Sequence, residues 1–132
     1  MDRDLSAIVE QAIEITAQAS QLPMKYFRAK LDLEAKPDDS PVTIADRETE
    51  AFIRDRLLAA FPGDGIFGEE YGTENLDASA IWVIDPIDGT RSFITGSPLF
   101  GMLLGRYKDK KPQIGLVRMP ALNETYVGAA GI

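Results

Sequence analysis

From Leu5 to about Leu22, apolar or small side chains recur at Leu5, Ile8, Val9, Ala12, Ile13, Thr16 and Ala19. A stripe with the helical period of 3.6 residues predicts an amphipathic helix, and Pro23 is expected to end it, because an interior proline removes an amide and crowds the preceding turn. Between Leu31 and Ser40, charge is mixed with Pro37 and the pair Asp38-Asp39, which reads as a short extended stretch and a mobile polar loop. Thr43-Ile44-Ala45-Asp46 resembles a capping box, so Thr43 is the expected N-cap of a second helix with Asp46 in its first turn. Phe52, Ile53, Leu57 and Phe61 supply that helix's apolar face, and Pro62-Gly63-Asp64-Gly65 stops it.

Beyond residue 65 the pattern changes to short apolar runs punctuated by Gly and Pro. Ile66-Phe67, Ile81 to Ile84, Gly101 to Leu104, Ile114 to Val117 and Thr125 to Val127 each predict a strand, and Lys108 to Pro112 a hairpin turn. Helices followed by a strand meander predict an α+β domain in which two helices pack on an antiparallel sheet. No internal repeat is visible.

Composition narrows the chemistry. The 132 residues suffice for one domain, and 45% hydrophobic with 27% charged residues is the balance of a folded globular chain. A formal charge of -7 argues against nucleic acid as a partner. No apolar run approaches the ~20 residues of a membrane span. Met1-Asp2-Arg3-Asp4 leads into an amphipathic segment instead of a signal sequence, so a cytoplasmic location is expected. Val127 to Ile132 stops on small and apolar residues without a polar tail, which reads as an incomplete chain. The chain has no Cys and no His. Disulfides, thiolate or imidazole metal sites, Cys nucleophiles and Ser-His-Asp triads are therefore excluded. Hydrolytic chemistry here would fall to carboxylates, as acid and base or as holders of a hard cation.

In Trp82-Val83-Ile84-Asp85-Pro86-Ile87-Asp88-Gly89-Thr90 an apolar strand delivers two carboxylates spaced by three. Asp85, Asp88 and a peptide carbonyl such as that of Ile87 offer hard oxygen ligands to Mg²⁺, and residues 90–93 could open a helix whose free amides suit a phosphate. The plainer alternative is an Asp-Gly turn capping a helix. Gly68-Glu69-Glu70-Tyr71-Gly72 supplies two more carboxylates. In an extended segment only one of Glu69 and Glu70 would face inward, and a solvated charged turn explains both equally well. Asp46 likewise has a local role as a helix-cap charge, and Lys36, Asp38 and Asp39 read as loop charge. Were these carboxylates to converge, their mutual repulsion would call for divalent metal.

The stretches Ser40 to Glu48, Gly68 to Gly72 and Trp82 to Phe93, in that order, resemble the inositol monophosphatase family of metal-dependent, lithium-sensitive phosphatases. Thr90 to Gly96 followed by Pro98-Leu99-Phe100-Gly101 is similar to the histidinol-phosphatase branch, since inositol-specific members more often carry Asn where Ser92 stands. The resemblance implies that Glu69, Asp85 and the Ile87 carbonyl hold one Mg²⁺ while Asp85 and Asp88 hold a second. It implies that Thr90, paired with Asp46, orients the water activated by Glu69 and the first metal. The phosphate would lie against the Gly89 and Thr90 amides, beside Asp88. Residues 1–132 would form the N-terminal, metal-binding half of an αβαβα layered fold, with a homodimer as the family habit. The implied reaction is hydrolysis of a small phosphate monoester, histidinol phosphate first, with an inositol monophosphate or a nucleoside bisphosphate as alternatives. A non-catalytic cation-binding module is the reading from a different class. The loop from Ala35 to Pro41 is expected to close over the metals.

Overall fold

The computed structural model describes residues 4–28 and 41–130. The loop expected at 31–40, and with it nearly all of the expected lid, lies outside the described residues, as do the last two positions of the chain.

The first helix, α1 (Leu5–Ala19), is capped by the Asp4 carboxylate, which accepts the Ser6 amide at 3.2 Å. Its buried stripe runs through Ile8, Val9, Ala12, Ile15, Thr16 and Ala19, with Leu5 and Ile13 at the margins. The Thr16 hydroxyl is satisfied within the helix, donating to the Ala12 carbonyl at 2.8 Å. Pro23 does not end this helix. The chain turns at Ser20 and starts a short α2 (Gln21–Tyr26), with Pro23 in its first turn, where an amide has no intrahelical acceptor to lose.

α3 (Pro41–Ala60) begins three residues earlier than the capping pattern suggests. Proline suits a first helical position because its φ is already helical. Thr43 therefore lies within the first turn instead of capping it, and Asp46 moves into the second turn, away from the helix end. Ala45, Thr49, Ile53 and Leu57 form a fully buried stripe at four-residue spacing, and Glu50 is buried beside them. Tyr26 of α2 donates its hydroxyl to Glu48 of α3 at 2.6 Å, with Lys25 at 3.0 Å from the same carboxylate.

Six strands follow: β1 (Gly65–Gly68), β2 (Gly72–Glu74), β3 (Ala80–Asp88), β4 (Gly101–Lys108), β5 (Lys111–Met119) and β6 (Glu124–Ala129). Their order across the sheet is β2-β1-β3-β4-β5-β6. The three residues of β2 are all exposed and carry no apolar alternation, which is why the sequence pattern passes over them. Every pairing is antiparallel except β1 with β3. The chain reverses in β2 at the edge of the sheet, so when it enters β3 on the other side of β1 it runs in β1's direction again. The β4–β5 turn falls at Asp109 and Lys110, both left-handed with φ of 51° and 67°, as a tight hairpin of right-handed twist requires. A six-residue α4 (Thr90–Thr95) links β3 to β4.

Period-2 alternation puts Trp82, Ile84, Met102, Leu104, Ile114 and Leu116 on one face of the sheet, where Ile8, Ala12 and Ile15 of α1, Ile53 and Leu57 of α3, and Phe61 just after α3 cover them. Burying each such side chain contributes about 1.5–3 kcal/mol. At the floor of this core the Trp82 indole N–H donates to Asp64 at 2.9 Å, and Arg106 pairs with the same oxygen at 3.0 Å. A second cluster, Ala45, Ile87, Phe93 and Phe100 with Tyr26, Phe27 and Val42 against it, joins the start of α3 to the end of β3 and to α4. Its rings are close: Phe93 meets Phe100 edge-on at 5.1 Å, and Phe27 lies 5.0 Å from Phe100. No described helix is long and apolar enough to cross a membrane.

Candidate active site

The second cluster decides where the carboxylates go. Ala45 and Ile87 are both buried in it, and each is a chain neighbour, or next but one, of acidic residues: Asp46 on α3, and Asp85 and Asp88 at the end of β3. Packing these apolar neighbours together brings the acidic side chains to one side of the molecule. The β3–β4 register slips between Asp85 and Asp88, a bulge that holds Pro86 and Ile87. Proline is tolerated there because the ladder is already interrupted. The bulge also breaks the alternation, so Pro86 and Ile87 are both buried while Asp85 is half-buried and Asp88 exposed.

Glu69 and Glu70 lie in the turn between β1 and β2, both exposed. The expectation that one faces in and the other out assumed an extended segment. Residues 69 and 70 form a turn, where the alternation of a strand does not apply, and the charges of both reach Asp46. Burial pushes the Asp46 carboxyl up to about 7, helped by repulsion from Glu70, Asp85, Glu69 and Glu50 in falling order. Burial likewise raises the Asp85 carboxyl to about 6, with Glu69 and Asp88 repelling it and the Ile87 amide, which donates to it, acting the other way. Acidic groups from α3, the β1–β2 turn and the end of β3 thus share one field.

Gly89 caps α4 in the left-handed region, φ 85° and ψ 46°, and its carbonyl accepts the Phe93 amide at 3.0 Å. A side chain at residue 89 would meet the Leu99 carbonyl oxygen at 3.1 Å, so glycine is required twice over. Thr90 opens α4 and is exposed; among the described residues it shares no hydrogen bond with Asp46.

Sequence reasoning missed Glu50. Its side chain is fully buried, yet it accepts the Glu70 amide at 3.0 Å and the Tyr71 amide at 2.8 Å, with Arg54 at 3.5 Å. The available signal was its spacing: a carboxylate four residues after Asp46 and three before Ile53 stands on the buried face of α3.

Among the described residues no three acidic side chains gather closely enough to form a ready cation cage. The donor set nevertheless suits a hard divalent ion: all its ligands are oxygens, and Asp46 and Asp85, raised first by burial and then by their acidic neighbours, would both be eased by a cation.

A layered α+β fold with an acidic cluster at the carboxyl end of a central strand defines a class of proteins, and comparison with known ones identifies it. The inositol monophosphatase family matches residues 4–132, and the chain belongs to that family. Members are generally metal-dependent. The chain is 43% identical over 124 residues to a histidinol-phosphatase of Chlorobaculum parvum, covering 93% of this chain and 48% of that protein. It is 39% identical over 132 residues to the chloroplastic bifunctional phosphatase IMPL2 of Arabidopsis thaliana, covering 98% of this chain and 38% of that protein. Among solved structures, an inositol monophosphatase from Zymomonas mobilis superposes with a TM-score of 0.85 at 37% identity, covering 99% of this chain and 50% of that one. The chain spans 38–50% of the length of these relatives.

Proposed function

We propose that the protein is a Mg²⁺-dependent phosphomonoesterase acting on a small phosphorylated metabolite, histidinol phosphate first among them, and that residues 1–132 are its N-terminal, metal-binding half. The observation that carries this reading is the shared field of Asp46, Glu69, Glu70 and Asp85, four acidic groups from three separate segments. Each of the family's motifs contributes to it.

In this reading Glu69, Asp85 and the Ile87 carbonyl would hold one Mg²⁺, and Asp85 with Asp88 a second. Bound there, Mg²⁺ would make water a competent nucleophile near neutral pH and screen the phosphate charge. Asp85 would serve both ions. Thr90 and Asp46 orient the attacking water, and Glu69 takes up its proton. The Gly89 and Thr90 amides, at the start of α4, would hold the phosphoryl oxygens, beside Asp88. No step needs histidine, in keeping with a chain that has none.

Two observations favour histidinol phosphate: the name of the Chlorobaculum relative, and Ser92 in the signature helix. The likeness to the Zymomonas enzyme favours an inositol monophosphate as the second substrate. A cytoplasmic homodimer completes the reading. The test is Mg²⁺-dependent phosphate release by the full-length protein from histidinol phosphate and from inositol 1-phosphate. Faster turnover of histidinol phosphate is expected, turnover of inositol 1-phosphate alone would reverse the substrate order, and turnover of neither removes the substrate assignment.

A further inference from the structure

We propose that Glu50 is a positioning residue for this site: its buried carboxylate grips the turn after β1 by two backbone amides and thereby sets where Glu69 and Glu70 present their own carboxylates. The inference rests on the reading of the site as a divalent-cation phosphatase centre.

A fully buried carboxylate persists only where its charge and lone pairs are answered. At Glu50 they are answered by the turn itself. Oε1 accepts the Glu70 amide at 3.0 Å and Oε2 the Tyr71 amide at 2.8 Å, so each oxygen holds one of two consecutive peptides. Fixing both peptide planes fixes the direction in which the Glu70 side chain leaves the backbone, and holds one of the two planes that set the direction of Glu69. Arg54, one turn further along α3, completes the grip: its Nη1 lies 3.5 Å from Glu50 and donates to the Gly72 carbonyl at 2.9 Å, where the turn ends.

Gly68 leaves the room this requires, because a Cβ there would lie 2.5 Å from the Glu50 carboxylate carbon. Asp46 and Glu50 are one turn apart on the same helix. A single rigid element therefore carries one of the site's carboxylates and also the anchor of the turn that brings two more.

The test uses the full-length protein carrying Glu50→Gln or, separately, Gly68→Ala. The glutamine keeps the shape but offers one acceptor oxygen, and its amide group opposes a backbone N–H donor to donor. The alanine displaces the carboxylate from the other side without altering it, and so covers the case in which Glu50→Gln fails to fold.

Two readouts are followed: hydrogen exchange of the amides at 69–72 in metal-free protein, and Mg²⁺ affinity by calorimetry. Both variants are expected to lose about tenfold or more in protection at 69–72, with β4 and β5 unchanged, and to bind Mg²⁺ about 10–100-fold more weakly. A merely structural role would instead lower protection throughout the sheet and leave affinity below the melting temperature intact. Protection and affinity within twofold of the parent in both variants, with Asp85→Asn abolishing binding, overturns this inference alone. A parent that binds no Mg²⁺ overturns it together with the functional reading.

Discussion

Glu70, in the turn after β1, is the charge that bears most strongly on Asp46, in the second turn of α3. Burial and then this repulsion push the Asp46 carboxyl up to about 7. In the unfolded chain the same group titrates near 3.9. Between those values the folded protein holds more protons than the unfolded chain, so stability falls as pH rises through the window and the loss is complete above about 7. In a chelating buffer, melting temperature is expected to drop from pH 5 to pH 8, and Asp46→Asn to remove most of that slope and to raise the pH 8 value. A variant melting with the parent's full pH dependence would show that Asp46 is not the group responsible.

Asp85 is the carboxylate on which both ions of the proposed mechanism depend. Asp85→Asn keeps its shape and removes its charge. Calorimetry with Mg²⁺ is expected to show no binding up to millimolar ion, and phosphate release to fall by more than about a hundredfold, beyond the range typical of residues that only orient ligands. Because the parent group is strained by burial and repulsion, the metal-free variant should melt higher than the metal-free parent at pH 8. Loss of activity with undiminished Mg²⁺ binding would move Asp85 from the metal to the substrate.

Most of the architecture was legible from periodicity. The stripe of α1, the face of α3 and five of the six strands follow from 3.6- and 2-residue patterns, because tertiary burial reinforces what the local pattern favours. The failures were at element ends. Pro23 reads as a stop signal but stands equally well in a first turn, and Pro41 opened α3 ahead of the Thr43 cap. β2 was invisible because an exposed Gly-Thr-Glu edge has no apolar face to show. At the site, the acidic motifs could be named from the sequence, whereas for Glu50 the spacing could at most have placed it on the buried face of α3: a glutamate on a helix is ordinarily solvated, and only the fold shows that two amides of a distant turn come to it.

Gly89 faces two penalties from any side chain, a left-handed backbone and the Leu99 carbonyl oxygen 3.1 Å from the would-be Cβ. Gly89→Ala is expected to cost at least ~1 kcal/mol from handedness alone. Gly115, an exposed residue of β5 with nothing within 4 Å of its would-be Cβ, provides the contrast. Gly115→Ala is expected to leave stability unchanged or raise it by about 0.4–1 kcal/mol. Urea denaturation of the two variants side by side separates them, and equal losses would refute the conformational account of Gly89.

The two hydrophobic clusters make different demands on function. Leu57 belongs to the main core between α3 and the sheet, whereas Phe93 belongs to the smaller cluster that ties α4 and Ile87 to Ala45. Truncating either leaves a cavity, at about 2–5 kcal/mol for Leu57→Ala and about 3–5 kcal/mol for Phe93→Ala. Similar losses of stability should nevertheless have different consequences for phosphate release, measured where both variants remain folded. Leu57→Ala leaves the contacts around Asp46 and Asp88 in place and should retain most activity. Phe93→Ala loosens the aromatic cluster that packs the start of α3 against the end of β3, and activity should fall at least tenfold, because small misplacements of catalytic groups are costly. Parallel losses of activity in the two variants would show that the carboxylates are held by the sheet and its main core, with no special part for the aromatic cluster beneath the signature turn.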